Sequence, residues 1–390
     1  MGKTRARDGD DVPSGEGRRG MSTERGAPAP DAAPLRVAVS MLSLVPGGMG
    51  GSETYARELV RELAGSRDVA VQTWVSGVGA GFSAGVPEHI VAGVTGGPST
   101  GARVATLAQA WRRRGRIRRE LEHADVVHYP FTAPVPWPAR GPAVAVSLLD
   151  VQHLDLPHLF SRAERLYRRR WYDAAARRAD VVVTISAFAK QGIVDHLGVD
   201  PDRVHVAHLG VDVSEFTPNL DEREPFLLYP ARGWAHKNHT LLVEAARLLR
   251  EDDDRLRLVL TGGGLEGLGD LPDWVDVRGL VSREELRSLY RRAACLVFPS
   301  RYEGFGLPPL EAMASGCPVA ASTAGSLPEV CGDAAVLFDP EDPQAIADGV
   351  RSALERSTEL AAAGPAHAAR FTWAACADAH VTAYRAAAGR

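Results

Sequence analysis

The sequence predicts an α/β protein made of two doubly wound domains, each a parallel sheet covered by helices. From Leu35 onward, short apolar runs alternate with longer amphipathic stretches, a pattern typical of βα units. The chain has 390 residues, of which 45% are hydrophobic, too many for one ordinary core and enough for two. The alternation is interrupted at residues 205–225, where Gly, Pro and charged residues accumulate. A hinge between two domains is therefore expected there.

Ten apolar runs predict the strands. The first sheet would contain LRVAVSM (35–41), VAVQTWV (69–75), DVVHY (125–129), AVAVSLL (143–149) and DVVVTIS (180–186). The second would contain PFLLYP (225–230), RLRLVLTG (255–262), WVDVRG (274–279), ACLVFPS (294–300) and PVAAS (318–322). Helices are predicted at 52–65 and 161–180, each begun by a capping serine, and near 238–250, 283–292, 308–315 and 342–355.

The composition divides the chain into four segments. Residues 1–34 are rich in Gly, Pro, Arg, Asp and Ala and predict a disordered tail, within which Met21 is an alternative start. We expect a first domain at 35–212, a second at 213–370, and a last helix at 371–390 that crosses back to the first domain. The chain has neither a signal-peptide core nor an uncharged run near the ~18 residues of a membrane span.

Charge and cysteine content restrict the class of protein. Lys plus Arg total 45 against 49 Asp plus Glu, so the net charge of -4 gives no reason to expect a nucleic-acid partner. The four cysteines are widely spaced and form no CxxC pair, as is typical of buried thiols in a reducing compartment. The sequence predicts a cytoplasmic protein and does not specify its oligomeric state. Abundant Ala, Arg and Gly indicate a GC-rich bacterial genome.

The stretch RYEGFGLPPLEA (301–312) carries two glutamates separated by seven residues. Glu303 follows a predicted strand at its carboxyl end, where open α/β sheets bind ligands. Gly304 and Gly306 allow close backbone approach, and the double proline begins a helix whose first turn would hold Glu311. Charge-assisted hydrogen bonds of roughly 1.5–3 kcal/mol each would orient a hydroxyl-rich ligand such as a ribose and a sugar. Alternatively, Glu311 only favours the helix N-terminus and Glu303 is solvated.

The longer segment RYEGFGLPPLEAMASGCPVAAS resembles the E-x7-E segment of the retaining GT-B glycosyltransferases, specifically glycosyltransferase family 4, also called glycosyl transferases group 1. The resemblance extends from about residue 35 to 385. It implies the GT-B fold, in which two Rossmann-like domains face a deep cleft. It also implies that Glu303 lies against the donor sugar and Glu311 binds the nucleotide ribose. The backbone of Phe305, Gly306 and Leu307 would lie beside the sugar and phosphates.

The segment YPARGWAHKNH follows the first strand of the second domain and carries Arg232 and Lys237. Two cations beside a diphosphate would stabilise the charge that develops as the sugar departs, without a metal. The segment resembles the family's diphosphate-binding stretch; a solvated basic loop is the alternative. In VRGLVS (277–282), the resemblance places the nucleotide base beside Leu280 and Val281.

In the first domain, PGGMGGSETY (46–55) joins the first strand to a helix. Its N–H groups, ahead of a helix capped by Ser52, would form an anion site. The stretch is not the dinucleotide fingerprint, because Glu53 stands where the third glycine belongs. The family has a similar loop touching the donor phosphates and the acceptor, which implies roles for Gly50 and Gly51. A simple turn is the alternative.

The stretch SLLDVQHLDLPHLF (147–160) departs from the family pattern. Relatives commonly carry His-Asp here, with the histidine lining the reaction centre, whereas this chain has Leu149 followed by Asp150. Asp150 or His153 could supply the polar group instead, and a structural or exposed His153 is the alternative.

Two basic stretches, WRRRGRIRRE (111–120) and RAERLYRRRWYDAAARR (162–178), contain interleaved aromatic residues. The acidic overall balance favours solvated helix faces whose Arg stems cover apolar surface. Weak peripheral contact with anionic lipid, or uptake of a charged acceptor, is the alternative.

Together these features predict a retaining transfer of a hexosyl group from GDP-mannose or a UDP- or TDP-sugar to a hydroxyl of a saccharide, lipid-linked or small-molecule acceptor. Polysaccharide and secondary-metabolite biosynthesis both fit. We expect no cofactor and no metal, since the acidic run EDDD (251–254) is predicted at a helix end away from the crevice. A nucleotide-sugar 2-epimerase of the same fold is one alternative. A catalytically inactive, sugar-nucleotide-binding partner protein is another, favoured by Leu149.

Overall fold

The structure is a computed structural model that describes residues 33–83 and 85–389. These residues form two parallel sheets with helices packed on both. Except for residues 33 and 34, the predicted tail and the alternative start at Met21 lie outside the described residues.

Seven parallel strands form the first sheet: β1 (Leu35–Met41), β2 (Val69–Val75), β3 (Glu88–Ile90), β4 (Val126–Tyr129), β5 (Ala143–Ser147), β6 (Val181–Thr184) and β7 (Val204–Val206). Their order in space is β3-β2-β1-β4-β5-β6-β7. The chain therefore reverses direction across the sheet between β1 and β4, which pair with each other. Loops that follow the strands at such a switch point border a crevice.

Six parallel strands form the second sheet: β8 (Glu224–Pro230), β9 (Arg257–Thr261), β10 (Val275–Gly279), β11 (Ala293–Phe298), β12 (Val319–Ser322) and β13 (Val336–Phe338). Their order is β10-β9-β8-β11-β12-β13, with the switch point between β8 and β11. The predicted fold class is confirmed. Because the first sheet ends at Val206 and the second begins at Glu224, the boundary predicted at 212/213 falls between the sheets, and it stays a prediction.

Fourteen described α-helices connect and cover the strands: α1 (Gly51–Gly65), α2 (Thr100–Arg112), α3 (Arg114–Leu121), α4 (Gln152–Asp155), α5 (Arg162–Arg168), α6 (Ala174–Arg178), α7 (Ala187–Leu197), α8 (His239–Leu249), α9 (Arg283–Arg292), α10 (Leu307–Ala314), α11 (Leu327–Cys331), α12 (Pro343–Glu355), α13 (Ser357–Ala368) and α14 (Trp373–Ala388). None of them has the length and apolar character needed to cross a bilayer.

Several details differ from the sequence-based expectations. The three-residue strands β3, β7 and β13 were not predicted, because each is too short to show a periodic pattern. The helix predicted at 161–180 is interrupted by a π-helical turn at Arg169–Asp173. Its serine cap is present, since Ser161 and Glu164 form a capping box. Ser52 is not a cap: the N-cap of α1 is Gly50, and no side chain caps that helix.

The last helix, α14, is joined to the first sheet by a buried chain of hydrogen bonds. Tyr384 Oη lies 2.8 Å from Nδ1 of His128, whose Nε2 lies 2.7 Å from Ser147 Oγ. Ser147 Oγ lies 2.6 Å from Tyr55 Oη, which lies 2.6 Å from His380 Nε2. His380 Nδ1 donates to the Cys376 carbonyl at 2.7 Å, which fixes one direction of donation along the whole chain. Every member is satisfied if both histidines are neutral.

Candidate active site

The switch point of the second sheet brings Lys237 and Glu303 together. Lys237 ends a 3-10 turn that follows β8, and Glu303 lies in the loop that follows the adjacent strand β11. Lys237 Nζ lies 2.5 Å from Glu303 Oε1, and each side chain is 13% exposed. A partly buried ion pair of this kind keeps a cation and a hydrogen-bond acceptor at the mouth of the crevice.

Hydrogen bonds fix the loop that carries Lys237. Tyr229 Oη donates to the Lys237 carbonyl at 2.7 Å, and Asn238 Nδ2 donates to the Pro340 carbonyl at 2.7 Å. Asn238 adopts a left-handed backbone with φ 60°, which asparagine tolerates better than most residues. The Arg301 N–H donates to the His236 carbonyl at 2.8 Å, tying this loop to the one after β11. The Lys237 side chain is thus held by a rigid backbone.

The loop after β11 is equally constrained. Ser326 Oγ donates to the carbonyls of Glu303 at 3.0 Å and Phe305 at 2.7 Å. A Cβ at Gly325 would lie 2.6 Å from the Glu303 carbonyl oxygen, so only glycine fits beneath this loop. Phe305 is buried. Gly306, with φ 114°, is the N-cap of α10, which begins at Leu307. The backbone of Phe305 to Leu307 therefore lies at a helix N-terminus, where N–H groups can meet an anion.

Glu311 lies on α10 one residue further from the helix start than predicted. It is the fifth residue of the helix, and the first turn holds no acidic residue, so the expectation that Glu311 lies in the first turn is wrong. Tyr290 Oη donates to Glu311 Oε2 at 2.9 Å. Burial raises the pKa of Glu311, although the hydrogen bond from Tyr290 opposes the shift. Glu311 borders a small cavity between the two sheets together with Glu58 and Arg283.

The glycine-rich loop of the first sheet meets the second at Arg232. Gly50 has φ 55°, which favours glycine, and a Cβ there would lie 3.9 Å from Arg232 Nη2. The Gly47 N–H donates to Glu53 Oε2 at 2.8 Å, which closes the loop, and Gly51 begins α1. The structure therefore places a guanidinium beside the N-terminus of α1, although the two belong to different sheets.

Of the two candidates after β5, only Asp150 faces the crevice loop. A Cβ at Gly304 would lie 3.3 Å from Asp150 Oδ2. Burial raises the pKa of Asp150, against the opposing hydrogen bond from the Gln152 N–H. His153 is instead buried, with Nε2 2.9 Å from Asp173 Oδ1, so its polar tip is directed into the first domain. Leu149 packs against the core.

Leu280 and Val281 lie away from the ion pair. They follow β10, which is two strands from β8 at the edge of the second sheet. Leu280 is 80% exposed, and its Cδ2 would lie 3.8 Å from a Cβ at Gly263. An uncovered leucine beside a glycine turn leaves room for a flat ring.

Sequence reasoning missed Glu329, which joins the two halves of the molecule. Glu329 lies in α11 and accepts hydrogen bonds from the N–H groups of Ala187 (2.8 Å) and Phe188 (3.2 Å) at the start of α7. It also lies 2.6 Å from His208 Nε2. Burial opposes the shift, but the hydrogen bonds from His208 and the two N–H groups hold the pKa of Glu329 below its usual value. No sequence signal reveals these contacts, because the partners are backbone groups about 140 residues away.

Within residues 33–83 and 85–389, no group of three or more His, Cys, Asp or Glu side chains is arranged to hold a metal. In the acidic run after α8, Asp252 pairs with Arg351 at 2.8 Å and Asp253 pairs with Arg255 at 2.9 Å. Two of the four carboxylates of that run are thus paired with arginines.

The switch points of the two sheets are lined by cations, carboxylates and helix N-termini, groups that can bind phosphates and hydroxyl groups. Two family profiles match the chain: one described as Glycosyltransferase Family 4 over residues 49–215, and one described as Glycosyl transferases group 1 over 212–369. A D-inositol 3-phosphate glycosyltransferase from Geodermatophilus obscurus is 32% identical over 92% of this chain and 90% of the relative. The O-antigen chain mannosyltransferase B of Escherichia coli is 27% identical over 86% and 96%.

Solved structures agree on the fold. Sucrose-phosphate synthase from Thermosynechococcus elongatus superposes with a TM-score of 0.73 at 22% identity, covering 90% of this chain and 98% of that one. HepE of Anabaena, in complex with UDP and glucose, gives 0.67 at 18%, covering 88% and 97%. The chain belongs to glycosyltransferase family 4 and has the GT-B fold. It is a glycosyltransferase.

Proposed function

We propose that this enzyme transfers a hexosyl group, with retention of anomeric configuration, from a nucleoside-diphosphate sugar to an acceptor hydroxyl. The observation that carries the proposal is the Lys237–Glu303 pair at the switch point, with Arg232 beside the glycine-rich loop. Lys237 and Arg232 come from one loop and border the space between the sheets. A diphosphate is a ligand that satisfies both cations at once.

Each end of the donor has a partner in this assignment. Lys237 exchanges Glu303 for the diphosphate, and Glu303 is then free to accept hydroxyl hydrogens of the sugar. Glu311 accepts the ribose hydroxyls, and the raised pKa of this carboxyl reflects burial that a ligand hydroxyl would relieve by donating a hydrogen bond. The base lies on exposed Leu280 and on Val281. Gly50 and Gly51 approach the phosphates from the first domain.

In the proposed reaction, the bond between the sugar's anomeric carbon and the diphosphate oxygen breaks, and the electron pair leaves with the nucleoside diphosphate. The acceptor oxygen bonds to that carbon from the same face, and its proton passes to the departing oxygen. In this scheme Glu303 accepts hydrogen bonds from the sugar hydroxyls and does not act as a nucleophile. Preorganised cations at the leaving group supply the main stabilisation of the transition state. No metal or cofactor takes part in this scheme.

Asp150 is the polar group that stands in for the histidine of related enzymes. It follows a strand of the first sheet and lies against Gly304, in the loop of the second sheet that carries Glu303. His153 has a structural role through Asp173 instead. Burial raises the pKa of Asp150, and its carboxyl oxygens can accept a hydrogen bond from a sugar hydroxyl, which would offset part of the cost of burial.

The nucleotide is decided by experiment. Mannosyltransferases among the relatives favour GDP-mannose, whereas a structural neighbour was solved with UDP and glucose. Thermal unfolding of the full chain is measured with GDP, UDP, TDP and ADP in parallel. At roughly 100 times its dissociation constant, the matching nucleotide adds about 2.7 kcal/mol to the free energy of unfolding. If none of the four raises the melting temperature, the donor assignment is wrong.

Variants at Glu311 test the ribose contact. Glu311→Ala abolishes most of the stabilisation by nucleotide, whereas Tyr290→Phe removes only the hydrogen bond from Oη and keeps the carboxylate. Glu355→Ala, at the end of α12, is the matched control. An unchanged nucleotide response in Glu311→Ala refutes the ribose contact.

Labelled nucleotide sugars then separate transfer from epimerisation. Transfer releases the nucleoside diphosphate and moves the label to an acceptor with the same anomeric configuration, which is read by NMR. A 2-epimerase would instead return an isomerised nucleotide sugar, and an inverted product would refute the proposed mechanism.

A further inference from the structure

An apolar groove opens on the first domain between α2 and the segment from α5 to α6. Its volume is about 690 Å³, within the range of ligand pockets. Its apolar wall is formed by one valine and four aromatic residues: Val104, Trp111, Trp137, Tyr167 and Trp171. Val104 is 61% and Trp111 is 52% exposed, so the groove presents apolar surface that residues 33–83 and 85–389 leave uncovered.

The groove adjoins a smaller cavity that borders the glycine-rich loop. This cavity, of about 80 Å³, shares Leu107 and Tyr167 with the groove and is also lined by Met49 of the loop and by Val45 just before it. Tyr167 therefore lies between the groove and the loop that approaches the donor phosphates in the proposed function. A ligand in the groove would reach the loop by passing Tyr167.

Positive charge surrounds this path. Residues 103–178 contain fifteen arginines and seven Asp or Glu, in a chain whose net charge is -4. Among the described residues, Arg116 is the one arginine of the fifteen in a salt bridge, with Glu120 at 2.8 Å. Arg103 lines the small cavity, and Arg112, Arg170 and Arg178 line the groove. Arg170 and Arg178 stack on the groove's own Trp171 and Trp137, with guanidinium carbons 5.6 Å and 4.3 Å from the ring centres, and neither has a described salt bridge. Guanidinium groups without a carboxylate partner beside an apolar wall match a ligand that is both anionic and apolar.

We infer that the acceptor is an amphipathic phosphate, with an apolar chain in the groove and its phosphate at Arg103. This inference rests on the proposed function, since it identifies the acceptor of that reaction. A soluble sugar phosphate would leave the tryptophan-lined groove without a partner. A flat membrane surface fits less well, because Trp111, Trp137 and Trp171 line a concavity rather than a protruding face.

Decyl phosphate, below its critical micelle concentration, is the probe. Its binding to the full chain is measured by isothermal titration calorimetry, beside decyl maltoside and inorganic phosphate at equal concentration. We expect decyl phosphate to bind at least about tenfold more tightly than either, because it alone supplies both chain and charge. Equal binding of decyl phosphate and inorganic phosphate would overturn the role of the groove, and equal binding of decyl maltoside would overturn the role of the arginines.

Variants locate the site. Trp111→Ala weakens decyl phosphate binding about tenfold, as does Arg103→Gln, through loss of an aromatic wall and of a cation, respectively. Leu166→Ala is the matched control, because Leu166 is 69% exposed on α5 but faces away from the groove. Circular dichroism verifies folding, and Val104→Asp is a second groove variant. If decyl phosphate binding is unchanged in Trp111→Ala and Val104→Asp, the inference fails.

Two further measurements separate the possible failures. Sedimentation with phosphatidylglycerol vesicles tests the membrane alternative: binding to vesicles that is lost equally in Trp111→Ala and Leu166→Ala, without binding of monomeric decyl phosphate, makes this surface a membrane contact and overturns the inference. Nucleotide stabilisation is measured on the same preparations. A chain that responds to nucleotide but not to decyl phosphate refutes only the acceptor class, whereas one that responds to neither refutes the proposed function itself.

Discussion

The two halves of the crevice are built differently. On the side of the second sheet, Lys237 is paired with Glu303, Glu311 is hydrogen-bonded to Tyr290, and serine and asparagine side chains fix the loops. On the side of the first sheet, fourteen of fifteen arginines in residues 103–178 have no described salt bridge, and aromatic side chains are uncovered. Within the part of the chain that the structure describes, the polar groups of the second side are paired with one another, whereas most arginines of the first side have no carboxylate partner.

This difference has a physical consequence. A preorganised polar site does not have to reorganise its dipoles when the leaving group develops charge, which is how electrostatic stabilisation lowers a barrier. A surface of arginines without salt bridges and of exposed tryptophans instead contributes most binding free energy when a ligand displaces the water that covers it. The donor half is therefore suited to chemistry, and the acceptor half to selecting and holding a substrate.

The largest expected effect is on the donor half. Lys237→Met removes the cation at the diphosphate and should lower kcat by about 10²–10³-fold, the cost of losing one preorganised group at a developing charge. Steady-state kinetics with saturating donor measures it. Lys190→Met, on α7, is the matched control, because it removes a lysine outside the crevice. A kcat within about threefold of the unchanged enzyme would show that the Lys237–Glu303 pair is only structural.

Much of the donor half could be predicted from the sequence, because its site residues lie close to one another along the chain. Arg232 and Lys237 lie in one loop, and Glu303 and Glu311 lie in one loop and the following helix, so each pair is close in sequence. The parallel sheet then brings the two loops together at a switch point, a rule of topology rather than of residue identity.

The remaining contacts depend on residues far apart in sequence. Glu329 binds N–H groups of α7, and Asp150 meets Gly304 across the crevice; neither contact has a periodic or motif signature. The choice between Asp150 and His153 was open for the same reason, since only the packed structure shows His153 turned toward Asp173. The position of Glu311 in its helix was misjudged by one residue because the sequence marks helix starts poorly.

Acid should destabilise both halves: burial lowers the pKa of His236 and His239 beside Lys237 to about 4, and His380 of α14 is the corresponding group on the first sheet. Burial lowers the pKa of His380 to about 4, while the unfolded chain has the usual value of 6.5. Between these values the unfolded chain takes up a proton that the folded chain does not. The free energy of unfolding therefore falls as the pH drops from 6.5 toward 4, by about 1.4 kcal/mol per pH unit for this histidine. Urea unfolding at pH 7, 6 and 5 measures the slope.

His380→Phe tests the source of that slope. The variant loses about 1–3 kcal/mol at pH 7, because Tyr55 Oη loses its acceptor, but its stability changes less steeply with pH. His158→Gln, at an exposed histidine, keeps the full slope. Equal slopes in His380→Phe and the unchanged chain would mean that other groups titrate, and the buried hydrogen-bond chain would not be the acid-sensitive element.

Where the two halves meet, Gly304 should tolerate no side chain. A Cβ at this position would already lie 3.3 Å from Asp150 Cβ and Oδ2. The methyl groups of Gly304→Val must therefore push the loop of Gly304 away from Asp150. We expect about a tenfold loss in kcat/KM, the scale of a small misplacement of reacting groups. Gly267→Val is the matched control, because nothing lies within 4 Å of a Cβ there. Full activity in Gly304→Val would show that the loop of Gly304 and Asp150 separate during the reaction.

The smallest effect is expected at Arg232, where the halves share a cation. Its guanidinium lies 5.4 Å from the Trp234 ring centre and beside Gly50. Arg232→Lys keeps the charge but loses the planar fork and the stacking, so nucleotide affinity should fall by less than about tenfold, with kcat nearly unchanged. Calorimetric titration with the nucleoside diphosphate gives the affinity. If Arg232→Lys lowers kcat as much as Lys237→Met does, the main diphosphate contact is Arg232, beside Gly50 of the first domain. The donor site would then need residues of both domains.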